Sequence, residues 1–420
     1  MGVLKALFPA RLGQWLGPLL IAGLIAAAIG LYVAFSGALN LAAARPDSPR
    51  AAGFIHGVFT RSVAAHAKDI NVPVAFNPPA EVMRGAGHYA RVCAHCHGAP
   101  GIGQGPIALS MNPRPQYLPA VVANFSDAEL FWIIRNGVRM TAMPAWPVAG
   151  RDDEVWALVA FVRTLPKQTA AEYITLAYGN PAAQPVAPGT APFATGFTPQ
   201  PFALASSKGP TPKQFNYQWP AVAFGNPALL QGAVQTCVAC HGAEGAGRTG
   251  GAFPNLAILD PSYFTATLTN FANGSRTSGI MQSVAAQLTP AQITALGTYY
   301  ASLPKRGLNT DQPPAAVLAK GSAIAANGAA NGSISACNAC HGTVAPGSGI
   351  PAIAGQNLDY LRTQLRLFRS GERKDPKSFN PMPAEAHALT DAELDDVARY
   401  FAAQPVAGAP APAAPAKTAG

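Results

Sequence analysis

The sequence predicts an all-α protein, in which an N-terminal transmembrane helix is followed by three small helical domains. Three observations carry that reading. No charged residue lies between Arg11 and Arg45, and residues 15–39 are almost wholly apolar. The pentapeptide Cys93-Ala94-His95-Cys96-His97 returns as Cys237-Val238-Ala239-Cys240-His241 and as Cys337-Asn338-Ala339-Cys340-His341. Around each copy the same order of helical patterns and Gly/Pro-rich loops recurs, with no βαβ pattern between them.

C-x-x-C-H is the attachment signature of c-type haem. Two thiols at this spacing meet the two vinyl groups of one porphyrin, and the adjacent imidazole reaches the iron from the same side. The three copies use all 6 cysteines of the chain, so three covalently bound haem c groups are expected. A thioredoxin-like pair needs no histidine at the next position. A zinc site built from C-x-x-C needs a second ligand pair at a fixed offset, and none is found at finger spacing. A disulfide across two intervening residues closes a strained loop of little stabilising value.

The 420 residues carry 29 Lys and Arg against 20 Asp and Glu, a net charge of +9, yet charged residues make up only 12%. That is no nucleic-acid polycation, and haem propionates would offset part of the excess. The apolar stretch at 15–39 is long enough to cross a hydrocarbon core of roughly 30 Å. Lys5 and Arg11 precede it, which leaves the N-terminus cytoplasmic and sends the rest across. A cleaved signal is the competing reading, with Leu41-Ala42-Ala43-Ala44 resembling a cleavage site; its apolar region is longer than the usual signal of about 7–15 residues. An uncleaved anchor is therefore expected over residues 1–45. Either reading exports the chain to the face on which bacteria attach haem.

Residues 46–79 read as a membrane-proximal stalk with a short helix over 54–68. His56 and His66 lie there and read as surface residues rather than iron ligands. The first haem domain is expected over 80–170. Its opening helix spans 81–93, where Gly85 and Gly87 mark a close crossing with another element. A middle helix at 127–136 follows, with Ser126 as its N-cap. The closing helix at 152–165 repeats Val155, Trp156, Val159 and Val162 at helical spacing. A Pro/Ala/Gly-rich linker is expected at 171–222. The second domain spans 223–306, with a closing helix at 290–303, and the third spans 307–405, closing with a helix at 390–403. Thr390-Asp391-Ala392-Glu393 is a capping-box pattern. Residues 406–420 read as a disordered tail.

A haem iron held by one histidine is closed by a second side chain or left open. Methionine as the sixth ligand raises the potential and gives an electron-carrying centre. Met143 lies 46 residues after His97, Met281 lies 40 after His241, and Met382 lies 41 after His341. Each sits between the middle and closing helices, where a loop reaches over the distal haem face. The expected iron ligands are thus His97 with Met143, His241 with Met281, and His341 with Met382. Met140 competes with Met143 in the first domain; Met143-Pro144 matches Met382-Pro383, which favours Met143. Each proximal ring N–H needs an acceptor. The Pro254 and Pro351 carbonyls are candidates, and Pro113 and Pro115 are both open in the first domain.

With these residues in view, each repeat resembles a class I cytochrome c domain. The second and third together are similar to the two-haem cytochrome c4 family, through Tyr263-Phe264, Phe271-Ala272-Asn273-Gly274-Ser275-Arg276 and Ile280-Met281 in one, and through Tyr360-Leu361, Phe368-Arg369-Ser370-Gly371-Glu372-Arg373 and Met382 in the other. The first resembles membrane-anchored monohaem cytochromes through Glu129-Leu130-Phe131-Trp132-Ile133-Ile134 and Met143-Pro144-Ala145-Trp146. The resemblance implies a bacterial inner-membrane cytochrome with its haem domains in the periplasm. Such a protein passes single electrons between redox partners: a terminal oxidase, a quinol-oxidising complex or a periplasmic dehydrogenase. No nucleic acid and no small-molecule substrate is expected, and no acid–base constellation marks the chain as an enzyme. An alternative is the cytochrome subunit of a periplasmic alcohol- or aldehyde-type dehydrogenase. A haem peroxidase would need an open iron, against which the three placed methionines argue.

Overall fold

The computed structural model describes residues 13–38, 42, 47–73, 78–101, 103–179, 230–248, 250–308, 313–329, 332–373 and 380–408. Helices, turns and loops make up these residues, with no strand among them. The expected linker from 180 onward, the first residues of the second domain (223–229) and most of the expected tail (409–420) lie outside them. The backbone separates into two compact units, residues 1–57 with 110–114 and residues 58–109 with 115–420.

In the first unit, helix Gly13–Phe35 contains a 19-residue window, Gly17–Phe35, of mean hydropathy 2.3 with none of it buried. A helix satisfies its own backbone hydrogen bonds, so such a segment tolerates hydrocarbon. Length and composition of this kind belong to membrane spans and export signals alike. Helix Pro49–Ala67 starts five residues before the expected position, with proline at its first turn, where a missing N–H costs nothing. From Val58 on it belongs to the second unit, where Val63 and Ala67 are buried.

The second unit holds the three repeats apart from residues 110–114, each built on the packing of an opening against a closing helix. In the first, Pro79–Val92 crosses Asp152–Val162 so closely that a Cβ on Gly85 would collide with the Ala157 carbonyl and lie 2.8 Å from Phe161 Cβ. Gly85 thus has the close crossing expected of it. In the third, Ala315–Asn327 crosses Asp391–Ala403, and Gly321 meets the Asp396 carbonyl in the same way. In the second, Leu230–His241 packs with Pro290–Ser302.

Tyr89, Phe161 and Tyr173 are fully buried in the first repeat, with ring centroids 5.1 to 6.5 Å apart. Each buries enough apolar area to contribute roughly 2–3 kcal/mol. Tyr173 sits on helix Ala170–Tyr178, which has its own capping box between Thr169 and Glu172. The first repeat therefore continues to Tyr178, beyond the boundary expected at 170. The Thr169–Glu172 capping pattern and the apolar spacing of Tyr173 and Ala177 signal this helix, but adjoining Pro- and Ala-rich sequence obscures it. The second core gathers Phe264, Leu268, Leu296 and Tyr300, and the third Leu361, Leu394, Val397 and Phe401. Capping boxes at Ser126–Glu129, Thr289–Gln292 and Thr390–Glu393 start the middle helix of the first repeat and the closing helices of the other two.

Candidate haem centres and their ligand loops

The three motifs take helical conformation, as the short helices Ala94–His97 and Asn338–His341 and as the last turn of Leu230–His241. One turn of helix puts residues i and i+3 on the same face, which brings Cys93 to Cys96, Cys237 to Cys240 and Cys337 to Cys340. None of the six cysteines is in a disulfide. Burial, and then the neighbouring Cys96, push the Cys93 thiol up to about 12. Burial likewise raises Cys237 and Cys337. Thiols held in the neutral form are poor redox nucleophiles. Among the described residues no three His, Cys, Asp or Glu side chains converge as a metal cluster.

Each motif histidine has its Nδ1 against a backbone carbonyl. His97 meets Gln116 O at 2.8 Å, His241 meets Pro254 O at 3.1 Å, and His341 meets Pro351 O at 3.0 Å. Such a bond places the proton on Nδ1, fixes the ring, and leaves Nε2 as the basic nitrogen for a metal. Two thiols on one face beside an imidazole with a free Nε2 fit the needs of a c-type haem. The Pro254 and Pro351 carbonyls are the expected acceptors. In the first repeat the acceptor is neither Pro113 nor Pro115 but Gln116; the Pro115 carbonyl instead takes a hydrogen bond of 2.8 Å from Gln104 Nε2.

The loops carrying the three methionines share a device that sequence reading missed. The Met143 N–H donates to Thr141 Oγ1 at 3.1 Å, the Met281 N–H to Ser278 Oγ at 3.0 Å, and the Met382 N–H to Asn380 Oδ1 at 3.0 Å. A short polar residue two or three positions earlier thus fixes the backbone of each methionine. Its signal, Thr-x-Met, Ser-x-x-Met and Asn-x-Met, is visible once the methionines are singled out. Met143, Met281 and Met382 are half-buried. Met281 and Cys237 pack against the same core. Met140 lies in the left-handed region at φ 62° with 90% of its surface exposed, which directs it to solvent. The Met143 loop returns to the middle helix at Gly137, whose φ is 66°; a Cβ there would sit 2.5–2.7 Å from the Pro144 and Met143 backbone. Only glycine accepts that approach.

Of the two stalk histidines, His66 Nδ1 lies 2.7 Å from the Ser62 carbonyl within its own helix. Nothing in the sequence pattern singles out His88. It is buried, with its ring 4.7 Å from Trp146 in the Met143 loop. Burial, and then the charge of Arg91, lower its pKa to about 3, so the ring is neutral.

Residues 80–162 and 324–401 match the family described as cytochrome c oxidase, cbb3-type, subunit III. A thiosulfate dehydrogenase electron acceptor of Thiomonas intermedia is 38% identical over 174 residues, covering 41% of this chain and 79% of that protein. The protein of the same description in Stutzerimonas stutzeri is 36% identical, covering 42% and 80%. Cytochrome c4 of Thiocapsa roseopersicina is 32% identical, covering 39% and 85%.

Proposed function

Since the chain belongs to the cytochrome c family, and its activity is therefore electron transfer, we propose that it is a membrane-anchored, periplasmic carrier with three haems. The observation that carries the proposal is the threefold recurrence of paired thiols beside a histidine whose Nδ1 is held by a backbone carbonyl. When bound, each haem supplies a one-electron ferric/ferrous couple. Cys93 and Cys96, Cys237 and Cys240, and Cys337 and Cys340 would hold the three groups covalently. His97, His241 and His341 would each supply an imidazole nitrogen to one iron, and Met143, Met281 and Met382 a thioether. Cys93 packs against the core of the first repeat, Cys237 and Met281 against that of the second, and Cys337 against that of the third.

The experiment is expression in a host competent for cytochrome c maturation, followed by haem content, denatured-state mass and fractionation. Three covalent haems and membrane retention are expected. Replacing residues 1–45 by a cleavable signal should yield a soluble protein with three haems. Two haems at full occupancy would refute the three-domain reading, and a soluble, N-terminally processed full-length protein would refute the anchor.

The relatives described as thiosulfate dehydrogenase electron acceptors favour one kind of donor, a thiosulfate-oxidising dehydrogenase, over an alcohol or aldehyde enzyme. Reduction of the haems by thiosulfate in the presence of such a dehydrogenase, and not without it, tests this partner.

A further inference from the structure

Glu154 stands in the first turn of the closing helix of the first repeat, yet its carboxylate is 2% exposed and serves the second repeat. Oε1 accepts from Ser278 Oγ at 2.6 Å, and Oε2 accepts from the Gly279 N–H at 2.8 Å and from Trp146 Nε1 at 3.3 Å. Ser278 passes the order on, since its Oγ accepts from the N–H of Met281 at 3.0 Å and of Ile280 at 3.3 Å. Arg151 closes the arrangement. Its guanidinium pairs with Glu154 at 2.9 Å and donates to the Thr277 carbonyl at 2.6 Å. Gly279 packs against Trp146, and a Cβ there would come within 2.7 Å of the indole. Thr277, Ser278 and Gly279 are thus gripped by three side chains of the preceding repeat.

We propose that Glu154 is a positioning residue for Met281, holding the ligand loop of the second centre from the first domain. This rests on the reading of Met281 as an iron ligand. A carboxylate suits the task because both oxygens accept, and Gly279 N–H and Ser278 O–H are both donors to it. A carboxamide offers one oxygen and turns its NH2 toward a donor, so Glu154→Gln breaks one arm of the grip while keeping the shape. Leaving a buried donor unpaired is the costly outcome. Trp146 belongs to the Met143 loop and bonds the same carboxylate, so the ligand loops of the first two centres are braced against one another.

The test uses full-length holoprotein and imidazole as the probe, reading the thioether-to-iron signature of the oxidised haems. Met281→Ala should abolish one centre's share of that signature. Glu154→Gln should retain it but let imidazole displace one methionine at a concentration at least tenfold lower than in the wild type. In a Met281→Ala background, Glu154→Gln should change nothing further. Ser278→Ala, which removes the hydroxyl that takes the Met281 N–H, should shift the titration in the same direction and serves if Glu154→Gln fails to mature. An unshifted titration in Glu154→Gln, or in Ser278→Ala where that variant stands in for it, overturns the proposal while the Met281 assignment stands. A shift that persists in the Met281→Ala background also overturns it, because the centre affected is then another. If Met281→Ala retains all of the signature, the ligand assignment itself fails and the proposal falls with it.

Discussion

The guanidinium of Arg373 donates to the hydroxyl of Tyr263 at 3.0 Å, across 110 residues of chain. The contact is reciprocated, with Arg276 donating to Tyr360 at 3.3 Å. Each arginine also lies over a phenylalanine of its own repeat, at 4.6 Å for Arg276 on Phe271 and 4.2 Å for Arg373 on Phe368. Tyr263 and Tyr360, Phe271 and Phe368, and Arg276 and Arg373 are equivalent pairs at a constant offset, so the second and third repeats meet through a pseudo-twofold exchange. Gln364 breaks the symmetry by accepting from both guanidiniums, at 2.8 and 2.7 Å, where the second repeat has Thr267.

This pairing is testable by a double-mutant cycle on Arg373→Ala and Tyr263→Phe, measured by denaturant unfolding of the holoprotein. A hydrogen bond from a charged donor at a part-buried site predicts a coupling of roughly 1.5–3 kcal/mol. A coupling near zero would show that the contact orients the repeats without stabilising them.

Two glycines should respond in opposite directions to the same change. Gly85→Ala drives a methyl into the Ala157 carbonyl and should cost about 2–3 kcal/mol, with a lower unfolding midpoint for the first repeat. Gly53 is in a helix with nothing within 4 Å of an added Cβ. Gly53→Ala should stabilise that helix by roughly 0.5–1 kcal/mol, read as increased helicity on heating.

His88 makes the first repeat acid-sensitive. Burial, helped by Arg91, lowers its pKa from 6.5 to about 3, so the unfolded chain binds a proton that the native state refuses. The associated stability is present above pH 6.5 and is lost as pH falls toward 3, amounting to at most roughly 5 kcal/mol. Unfolding free energies of His88→Leu should lack this slope between pH 6.5 and 3. An identical slope in the variant would assign the acid limb to other groups.

Met140 and Met143 separate cleanly. Met140 is 90% exposed, so Met140→Ala should leave every thioether-to-iron signature intact and stability within about 0.5 kcal/mol. Met143→Ala should remove one signature and lower that centre's potential, because a thioether favours ferrous iron. Spectroscopy and redox titration of the two variants decide between the neighbours.

Features that depend on near neighbours in the chain are legible before any fold is known. C-x-x-C-H places thiols and imidazole through the pitch of one helical turn, and the capping boxes at Ser126, Thr289 and Thr390 act over three residues. The apolar run at 17–35 needs only composition. Gly85 was legible as a crossing because glycine in a helix interior otherwise costs stability, though its partner Ala157 was not. The tertiary structure alone decided which carbonyl holds His97, because several lie within reach in a loop whose path the spacing does not specify. It alone decided the service of Glu154 to Ser278, 124 residues away. In sequence, an acid in the first turn of a helix reads as a solvated partner of the helix dipole. Only the docking of the second repeat excludes water from that carboxylate, and a carboxylate deprived of water must find its donors in the protein.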